Sequence, residues 1–241
     1  DIGTGKLANP DIIVEEVLTN LTKEQDLKGQ SMIVTAGPTV ESIDPVRYLT
    51  NRSSGKMGYS IAREAIARGA DVTLISGPTN LFIPQNLKKF VQIESAQDLY
   101  EAVVSNLSEN KIVIQSAAVA DYKPKTYSDK KIKKKNDDLS IELSRNYDIA
   151  YEIGKIKEDK ILIGFAAETN DLIEHAKGKI KKKNLDFIVA NDLTKEGAGF
   201  RADTNIVKII DVEGNITEYP KMKKEEVANV ILDKVKALLE K

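Results

Sequence analysis

The sequence predicts an α/β fold, in which a doubly wound and mostly parallel sheet carries helices on both faces. Short apolar runs alternate with longer amphipathic segments along most of the chain, and this alternation is typical of βαβ units. Glycine closes the first two apolar runs, at Gly37 and Gly77. Near the C-terminus two strand-like runs flank the turn Glu213–Gly214–Asn215, which predicts an antiparallel hairpin.

The first unit begins with a buried strand at "SMIVTAG" (31–37) and continues through a long polar loop. The next helix is predicted to start near Ser53 or Ser54, because either hydroxyl would cap its first turn. Gly69 ends this helix, and "DVTLISG" (71–77) is the following strand. The order is therefore strand, loop, helix and strand.

The remaining elements repeat this order. They are a strand over 90–95, a helix over 96–107, strands over 111–120 and near 139–143, a helix near 147–157, a strand over 161–167, a helix over 171–183, a strand over 187–192, the hairpin, and a closing helix whose apolar residues are Val227, Val230, Ile231, Val235 and Leu238. No repeat or linker interrupts 31–241, so we expect one Rossmann-like domain there. Residues 1–30 read as a linker or short helix.

Composition narrows the functional class. The chain has 241 residues, a net charge of −1 and a pI near 6.1, so it has no overall attraction to nucleic acid or to an anionic membrane. It contains no Cys, which excludes disulfides, thiolate metal sites and a cysteine nucleophile. No apolar run approaches the roughly 20 residues that span a bilayer, and no signal peptide pattern is present. We expect a soluble, cytoplasmic protein.

A lysine-rich stretch interrupts this neutral background. Seven lysines fall between Lys123 and Lys135. One interpretation is a solvated loop, because like charges repel one another. The other is a lid over 123–138 that closes on a ligand with several negative charges.

The segment "NRSSGKMG" (51–58) lies where a helix is predicted to begin. Main-chain N–H groups and the helix dipole make such an end an anion site, and Gly55 and Gly58 would let a phosphate approach closely. Lys56 adds a positive charge. The segment is neither a Walker A loop nor a GxGxxG motif. Simple capping with glycine for tight packing explains the spacing equally well.

Other candidates surround the same sheet edge. Arg47 could bind phosphate or carboxylate, or could be a surface arginine. Asp121 follows a predicted strand, where open α/β sheets bind ligands, although a turn is the alternative. Phe165 and Glu168 end another strand. The only histidine, His175, is expected to be solvated. Anion binders without a histidine base suit phosphoryl or nucleotidyl transfer.

Seven motifs occur in order across roughly 31–207. They are "TAGPTVESIDPVRYLTNRSSGKMGYSIAREAIARGADVTLISGP", "AAVADYKP", "KIKK", "NYDI", "GFAAETN", "KKKNLDFIVAND" and "GAGF". With these motifs the chain closely resembles the phosphopantothenate–cysteine ligase family, in its bacterial CTP-using form. The opening "GTGKLANPDII" is similar to the join at which the bifunctional bacterial proteins leave a flavin-dependent decarboxylase half, so no flavin is expected in this fragment.

The resemblance implies a two-step reaction of coenzyme A biosynthesis. The carboxylate of 4′-phosphopantothenate attacks the α-phosphate of CTP, giving an acyl-cytidylate and pyrophosphate. The amine of L-cysteine then attacks the acyl group and releases CMP. A triphosphate carries more charge than the lysines can neutralise, so we expect Mg²⁺ to bind with CTP and the lysines to form a mobile lid over the phosphates. A homodimer is expected partly from the resemblance and partly because a lid of this length would lean on a neighbouring subunit.

The resemblance assigns roles to individual residues. Lys131 would promote formation of the acyl-cytidylate, and Asn51 its conversion by cysteine. The expected substrate-binding residues are Arg47, Asn51, Ser53, Ser54, Gly55, Lys56, Ala117 and Ala118. The expected nucleotide-binding residues are Asp121, Lys131, Asn146, Tyr147, Asp148, Ile149, Phe165, Ala166, Ala167, Lys179 and Lys183. Asp121 is also the candidate ligand for Mg²⁺.

Two motifs depart from the family pattern. Tyr147 stands where "NPDI" usually has proline, and Pro38 stands where "TAGGT" usually has glycine. Both changes alter the restriction on the backbone without removing a functional side chain. Two other classes remain as alternatives. A nucleic-acid-binding module is disfavoured by lysines without interleaved aromatics, and a nicotinamide oxidoreductase by the missing GxGxxG.

Overall fold

The structure is a computed structural model that describes residues 24–134, 138–168, 172–192 and 202–240, together with Leu7, Pro10, Ile13 and Val17. Most of the predicted 1–30 segment, the end of the lysine-rich stretch at 135–137 and the "GAGF" motif at 197–200 lie outside these residues. The side chains of Glu168 and His175 lie outside them as well.

Helices and strands alternate as the sequence predicts. From residue 24 onward, the helices in the described residues are α1 (Lys56–Ala67), α2 (Ala96–Leu107), α3 (Ile149–Ile156), α4 (Leu172–Lys183) and α5 (Lys224–Leu239). The strands are β1 (Ser31–Ala36), β2 (Val40–Ser42), β3 (Tyr48–Thr50), β4 (Asp71–Ser76), β5 (Lys89–Gln92), β6 (Ile112–Gln115), β7 (Tyr122–Pro124), β8 (Leu143–Arg145), β9 (Ile161–Glu168), β10 (Phe187–Asp192), β11 (Thr204–Asn205), β12 (Val207–Asp211), β13 (Ile216–Glu218) and β14 (Met222–Lys223).

Within the described residues, one eight-stranded sheet has the order β13-β12-β10-β9-β6-β1-β4-β5. The six strands from β10 to β5 run parallel to their neighbours. The hairpin β12–β13 adds two antiparallel strands at one edge. This arrangement confirms the predicted α/β class with a C-terminal hairpin.

Both faces of the sheet are buried. In β1, Met32 and Val34 pack with the cluster that contains α1 and α5, whereas Ile33 packs with the cluster that contains α2, α3 and α4. Successive side chains of a strand point to opposite faces, so a strand covered by helices on both sides must be apolar throughout. The continuous apolar runs in the sequence have this cause.

The chain reverses its direction of winding at β1. The units after β1 extend through β4 to β5, whereas β6 returns to pair with β1 on its other side. A crevice forms outside the carboxyl ends of the strands at such a switch point. The loop before α1 and the segment after β6 both enter this crevice.

The strand expected over 111–120 is shorter than predicted. β6 ends at Gln115, because side-chain hydrogen bonds replace the ladder beyond it. The Ser116 hydroxyl donates to the Thr35 carbonyl at 2.6 Å, and the Ala117 N–H donates to the Thr35 hydroxyl at 3.1 Å. Beyond these bonds, an isolated parallel bridge joins Ala118 to Pro38. Residues 116–120 otherwise run along the crevice as irregular chain.

The strand expected near 139–143 is also misplaced. Its observed counterpart, β8, begins at Leu143 and pairs antiparallel with β7. Residues 139–142, which precede β8, pair with no strand among the described residues. Leu139 and Ile141 therefore remain exposed. The lysine-rich stretch therefore begins as a short strand rather than as a loop. We call the β2–β3 and β7–β8 pairs the two arms; β2 packs against β7.

Helix α1 is capped differently from the prediction. Its N-cap is Gly55 with φ 77°, and neither Ser53 nor Ser54 caps the first turn. At the other end, Gly69 donates to the Ile66 carbonyl and Ala70 to the Ala65 carbonyl, which is a Schellman motif at the predicted Gly69. Within the described residues, no helix is both long and apolar enough to cross a lipid bilayer.

Candidate active site

A cleft of about 1120 Å³ lies at the carboxyl edge of the sheet. Most residues to which the sequence assigns a role line it. These residues are Asn51, Ser53, Ser54, Gly55, Lys56, Ala117, Ala118, Asp121, Asn146, Tyr147, Asp148, Ile149, Phe165, Ala166, Lys179 and Lys183. The main chain of Ala167 belongs to β9, but its side chain lies outside the described residues.

The N-terminus of α1 forms one end of the cleft. Gly55 adopts a left-handed conformation that L-residues with side chains rarely occupy, and an added Cβ would meet the Thr79 methyl at 2.6 Å. Gly58 lies so close to β1 that an added Cβ would be 2.6 Å from the Ala36 Cβ. The N-cap, Gly55, has no side chain to cap the first turn, and the N-terminal N–H groups of a helix suit an anionic ligand.

Asn51 is oriented by the chain that follows β6. Its Nδ2 donates to the Val119 carbonyl at 2.9 Å and to the Ala118 carbonyl at 3.3 Å. Two acceptors fix the amide plane, so the side chain is held at the cleft without being buried. This contact joins the two motifs "NRSSGKMG" and "AAVADYKP" in space.

The turn between β8 and α3 forms the opposite wall. Asn146 donates from Nδ2 to the Ala120 carbonyl at 2.9 Å. Asp148 caps α3 by accepting from the Tyr151 N–H at 3.2 Å, and it also pairs with the Lys183 ammonium at 2.9 Å. These contacts fix the position of the turn relative to the chain after β6 and to α4, so Asn146 and Asp148 stabilise the wall that they line.

Tyr147, which replaces the family proline, adds an aromatic contact. Its ring stacks on Tyr100 with centroids 6.3 Å apart, and the Lys123 ammonium lies 5.9 Å from the ring centroid. The ring thus links helix α2, the turn before α3 and the first lysine of the lysine-rich stretch. These contacts restrict a turn that has lost the rigidity of proline.

Two residues with predicted roles, Arg47 and Lys131, are described by the structure but do not line the cleft. The Arg47 guanidinium instead pairs with Asp44 at 2.5 Å and donates to the Ile132 carbonyl at 2.8 Å. Its hydrogen bond holds the pKa of Asp44 well below the usual range. Asp44 also accepts from the Ile132 N–H at 3.0 Å. Arg47 and Asp44 therefore anchor the segment that carries Lys131 to the β2–β3 arm.

The structure adds cleft residues that the sequence analysis missed. They are Gln115, Lys182, Asn205 and Lys224 among others. Lys224 is 5% exposed, and its ammonium donates to the carbonyls of Ala202 and Thr204. Burial, assisted by the charge of Lys56, lowers the pKa of Lys224 to about 8. Lys182 lies within the motif "KKKNLDFIVAND", whereas none of the seven motifs includes Gln115, Asn205 or Lys224. The packing of α5 against α1 places Lys224 at the cleft.

Asp121 and Asp148 are the carboxylates that line the described part of the cleft. Among the described residues, no three His, Cys, Asp or Glu side chains cluster closely enough to hold a metal ion. Asp121 is exposed at the cleft and offers a single carboxylate. One oxygen ligand fits a hard cation whose remaining ligands are water and phosphate oxygens.

Comparison with known proteins identifies the family. Residues 27–239 match the DNA/pantothenate metabolism flavoprotein C-terminal domain family, DFP. The coenzyme A biosynthesis bifunctional protein CoaBC of Bacillus subtilis is 47% identical over 98% of this chain, and the chain spans 59% of that protein's length.

Solved structures agree with this assignment. The crystal structure of the C-terminal domain of a CoaBC protein has a TM-score of 0.77 and 44% identity, covering 90% of this chain and 99% of that domain. A Cab2 mutant in complex with phosphopantothenate-cysteine is 15% identical with a TM-score of 0.70, covering 98% of this chain and 97% of that one. The latter likeness concerns the fold alone. The cleft residues, the sequence match and the CoaBC domain structure together establish that this chain belongs to the DFP family, the DNA/pantothenate metabolism flavoprotein C-terminal domain.

Proposed function

We propose that this chain is a phosphopantothenate–cysteine ligase. It joins 4′-phosphopantothenate to L-cysteine with consumption of CTP, and gives 4′-phosphopantothenoylcysteine, CMP and pyrophosphate. The observation that carries the proposal is that one cleft contains both the uncapped N-terminus of α1 and the lysine-bearing last turns of α4. Two separate anion-binding features suit a phosphorylated substrate and a nucleoside triphosphate.

In the first step, a carboxylate oxygen of 4′-phosphopantothenate attacks the α-phosphorus of CTP. The new oxygen–phosphorus bond forms as the bond to the β-phosphate oxygen breaks, and pyrophosphate leaves. Lys179, Lys182 and Lys183 line the cleft, and their charges would stabilise the phosphates in the transition state. Lys131 would join them once the segment that Arg47 and Asp44 hold at Ile132 moves towards the cleft.

In the second step, the amine nitrogen of cysteine attacks the acyl carbon. The nitrogen–carbon bond forms, the bond from carbon to the phosphate oxygen breaks, CMP leaves with the electron pair, and the amine loses a proton to solvent. Asn51 would donate a hydrogen bond to the developing charge on the acyl oxygen, because its amide is already fixed at the cleft.

The preference for CTP is supported by the register of the sheet. The β6–β9 ladder ends at the pair Gln115–Gly164, and β9 continues to Glu168. The main-chain groups from Phe165 to Ala167 therefore extend past β6 towards the cleft. A base edge can hydrogen-bond to such groups, and we propose that they select cytosine.

Magnesium is proposed to arrive with CTP. When bound, Mg²⁺ neutralises and bridges phosphate oxygens, and Asp121 would hold it directly or through water. We expect excess EDTA to abolish turnover and added Mg²⁺ to restore it. Full activity in excess chelator would contradict this part of the proposal.

The names of the bifunctional relatives also support a larger assembly. We propose that this chain normally works beside a flavin-dependent decarboxylase half. The ligase activity itself is tested by measuring pyrophosphate release with 4′-phosphopantothenate and CTP, ATP, GTP or UTP in turn. We expect release with CTP and product formation only after addition of cysteine. Equal turnover with ATP would contradict the CTP preference, and no release with any nucleotide would contradict the ligase.

A further inference from the structure

Two helices begin next to each other at one end of the cleft, and each begins with a lysine. α1 starts at Lys56 and α5 starts at Lys224, and the two helices pack together. The segment 202–205 lies between these helix ends. It pairs with β14 through β11, and the Lys224 N–H donates to the Asp203 carbonyl at 3.0 Å.

A carboxylate already occupies this position. The Asp203 side chain pairs with the Lys56 ammonium at 2.5 Å, and this contact lowers the pKa of Asp203. The Asp203 side chain is 85% exposed, so it can move away without disturbing the core. The geometry around Lys56 therefore accepts a carboxylate group, and the resident one is displaceable.

Asn205 provides a second and independent feature. The residue is 5% exposed and lines the cleft. Its Nδ2 donates to the Met57 sulfur at 3.5 Å, whereas its Oδ1 has no hydrogen-bond partner among the described residues. A buried amide oxygen without a donor is unfavourable, and in native proteins such an atom calls for an explanation.

We propose that Lys56, Lys224 and Asn205 form a binding subsite for an α-amino acid. The α-carboxylate takes the place of the Asp203 carboxylate beside the two lysines. The α-amino group donates a hydrogen bond to Asn205 Oδ1. This inference rests on the proposed function, in which the amino acid is the cysteine substrate, and it names the residues that recognise cysteine.

The chemistry of the subsite distinguishes an amino acid from a phosphate. A phosphate dianion offers only acceptor oxygens, so it would satisfy the lysines but leave Asn205 Oδ1 unpaired. An amino acid carries a carboxylate and an N–H donor on the same carbon. The N-terminus of α1 is a separate feature that suits the phosphate of the other substrate.

The test compares L-cysteine with cysteamine, which has the same thiol and amine but lacks the carboxylate. We expect the wild-type enzyme to prefer cysteine in kcat/KM. Lys224→Met should reduce the cysteine-to-cysteamine ratio about tenfold, because a hydrogen bond to a charged group contributes at least this much. Asn205→Ala should raise the KM of both amines by a similar factor. Lys223→Met, at the exposed neighbouring lysine, is the matched control and should change neither value.

Two further measurements keep the result interpretable. Pyrophosphate release in the absence of any amine reports the first step, so the amine kinetics of each variant are compared after division by its own first-step rate. Asp203→Asn removes the competing carboxylate at an exposed position, so we expect a cysteine-to-cysteamine ratio several-fold above wild type even if Lys224→Met does not fold.

The outcomes separate the two proposals. If pyrophosphate is released normally but the ratio is the same in wild type, Asp203→Asn and the Lys224 variant, the amino-acid subsite is wrong and the ligase stands. A raised KM for 4′-phosphopantothenate with an unchanged ratio would assign the lysines to the phosphate instead. If no nucleotide supports release, the proposed ligase fails, and ligand-observed NMR still decides the subsite: cysteine should bind wild type more tightly than cysteamine does, and equal weak binding would overturn it.

Discussion

Asn51 is held at the cleft by two main-chain carbonyls, those of Ala118 and Val119. A fixed amide donor can stabilise charge that develops on an acyl oxygen without reorganising during the reaction. Lys131, the other residue with a proposed catalytic role, does not line the cleft. It lies on the segment that Asp44 holds through the Ile132 N–H. The two residues therefore belong to different steps in our proposal.

We predict that Asn51→Ala forms the acyl-cytidylate but reacts slowly with cysteine, with kcat reduced by about 10² to 10³. Lys131→Ala should instead reduce pyrophosphate release in the first step. Mass spectrometry of the quenched enzyme, without and then with cysteine, would detect the intermediate. Normal turnover of Asn51→Ala would show that its assigned role is wrong, and accumulation of intermediate in Lys131→Ala would reverse the assignment of that residue.

Gly58 shows how closely α1 approaches the sheet. An added Cβ would lie 2.6 Å from the Ala36 Cβ and 2.9 Å from the Thr35 carbonyl oxygen, and neither neighbour is at the end of a flexible side chain. Gly58→Ala should therefore lower the free energy of unfolding by about 1–3 kcal/mol, although alanine favours helix.

Gly178→Ala is the matched control for this prediction. Gly178 is also helical, is exposed, and has nothing within 4 Å of an added Cβ. Because no steric clash opposes it at this position, the higher helix propensity of alanine should raise the free energy of unfolding by up to about 1 kcal/mol. Urea unfolding of both variants measures the difference. A Gly58→Ala variant as stable as wild type would mean that α1 can shift away from β1 without loss.

Among single residues, the sequence predicted the motif positions of the cleft but not their contacts. Arg47 illustrates the limit. A guanidinium next to a glycine-rich motif suits anion binding. In the structure, however, the Arg47 guanidinium pairs with Asp44 and donates to the Ile132 carbonyl. Competition between an internal carboxylate and a ligand depends on the fold of the loop, which residue type and spacing do not specify.

At the scale of elements, Arg68 connects the start of the sheet to two helices. It follows α1 and pairs with Asp26 and with Asp233 of α5, each at 2.7 Å. The hydrogen bond from Arg68, with a further contribution from Lys236, lowers the pKa of Asp26 to about 2. These pairs hold the segment before β1 against α1 and α5.

This arrangement predicts a pH dependence of stability. A carboxylate whose pKa is lower in the folded state than in the unfolded state stabilises the fold above its unfolded value of 3.8. The contribution is lost as pH falls from about 4 through about 2. Wild type should therefore lose more stability between pH 7 and pH 3 than Asp26→Asn does, as measured by urea unfolding.

Asp159→Asn serves as the control for the pH measurement, because Asp159 is an exposed carboxylate in the turn before β9. This variant should lose as much stability on acidification as wild type. Parallel pH profiles for wild type and Asp26→Asn would contradict the assigned role of the Asp26–Arg68 pair.

At the scale of the whole molecule, the two arms present exposed apolar side chains. Val46, Tyr48, Tyr122, Tyr127 and Leu143 are each about half exposed on or beside the arms. Large exposed apolar groups that occur together indicate a protein-binding surface. We expect this surface to meet a second copy of the chain, because two-fold dimers are the commonest oligomers.

Light scattering of wild type should therefore give the mass of a homodimer. The double variant Tyr48→Glu, Leu143→Glu should be monomeric, because charges would be buried at the contact. Phe82→Glu, at an exposed apolar residue in the loop before β5, should remain dimeric. A fully active wild-type monomer would contradict the prediction, and dissociation by Phe82→Glu alone would move the interface to another surface.

The sequence by itself determined the order of strands and helices, the parallel sheet and the motif residues of the cleft. Those features follow from local patterns, namely the period of the apolar residues, the continuous apolar runs and the positions of glycine. Each of these patterns involves only a few neighbouring residues. Only the tertiary structure decided that β6 ends at Gln115, that Gly55 rather than a serine caps α1, and that Asp44 holds Arg47. It also decided that Lys224 and Asn205, distant in sequence from Lys56, share its end of the cleft. These outcomes depend on which groups compete for the same hydrogen bonds after the helices pack on the sheet, and that competition is between residues far apart in the chain.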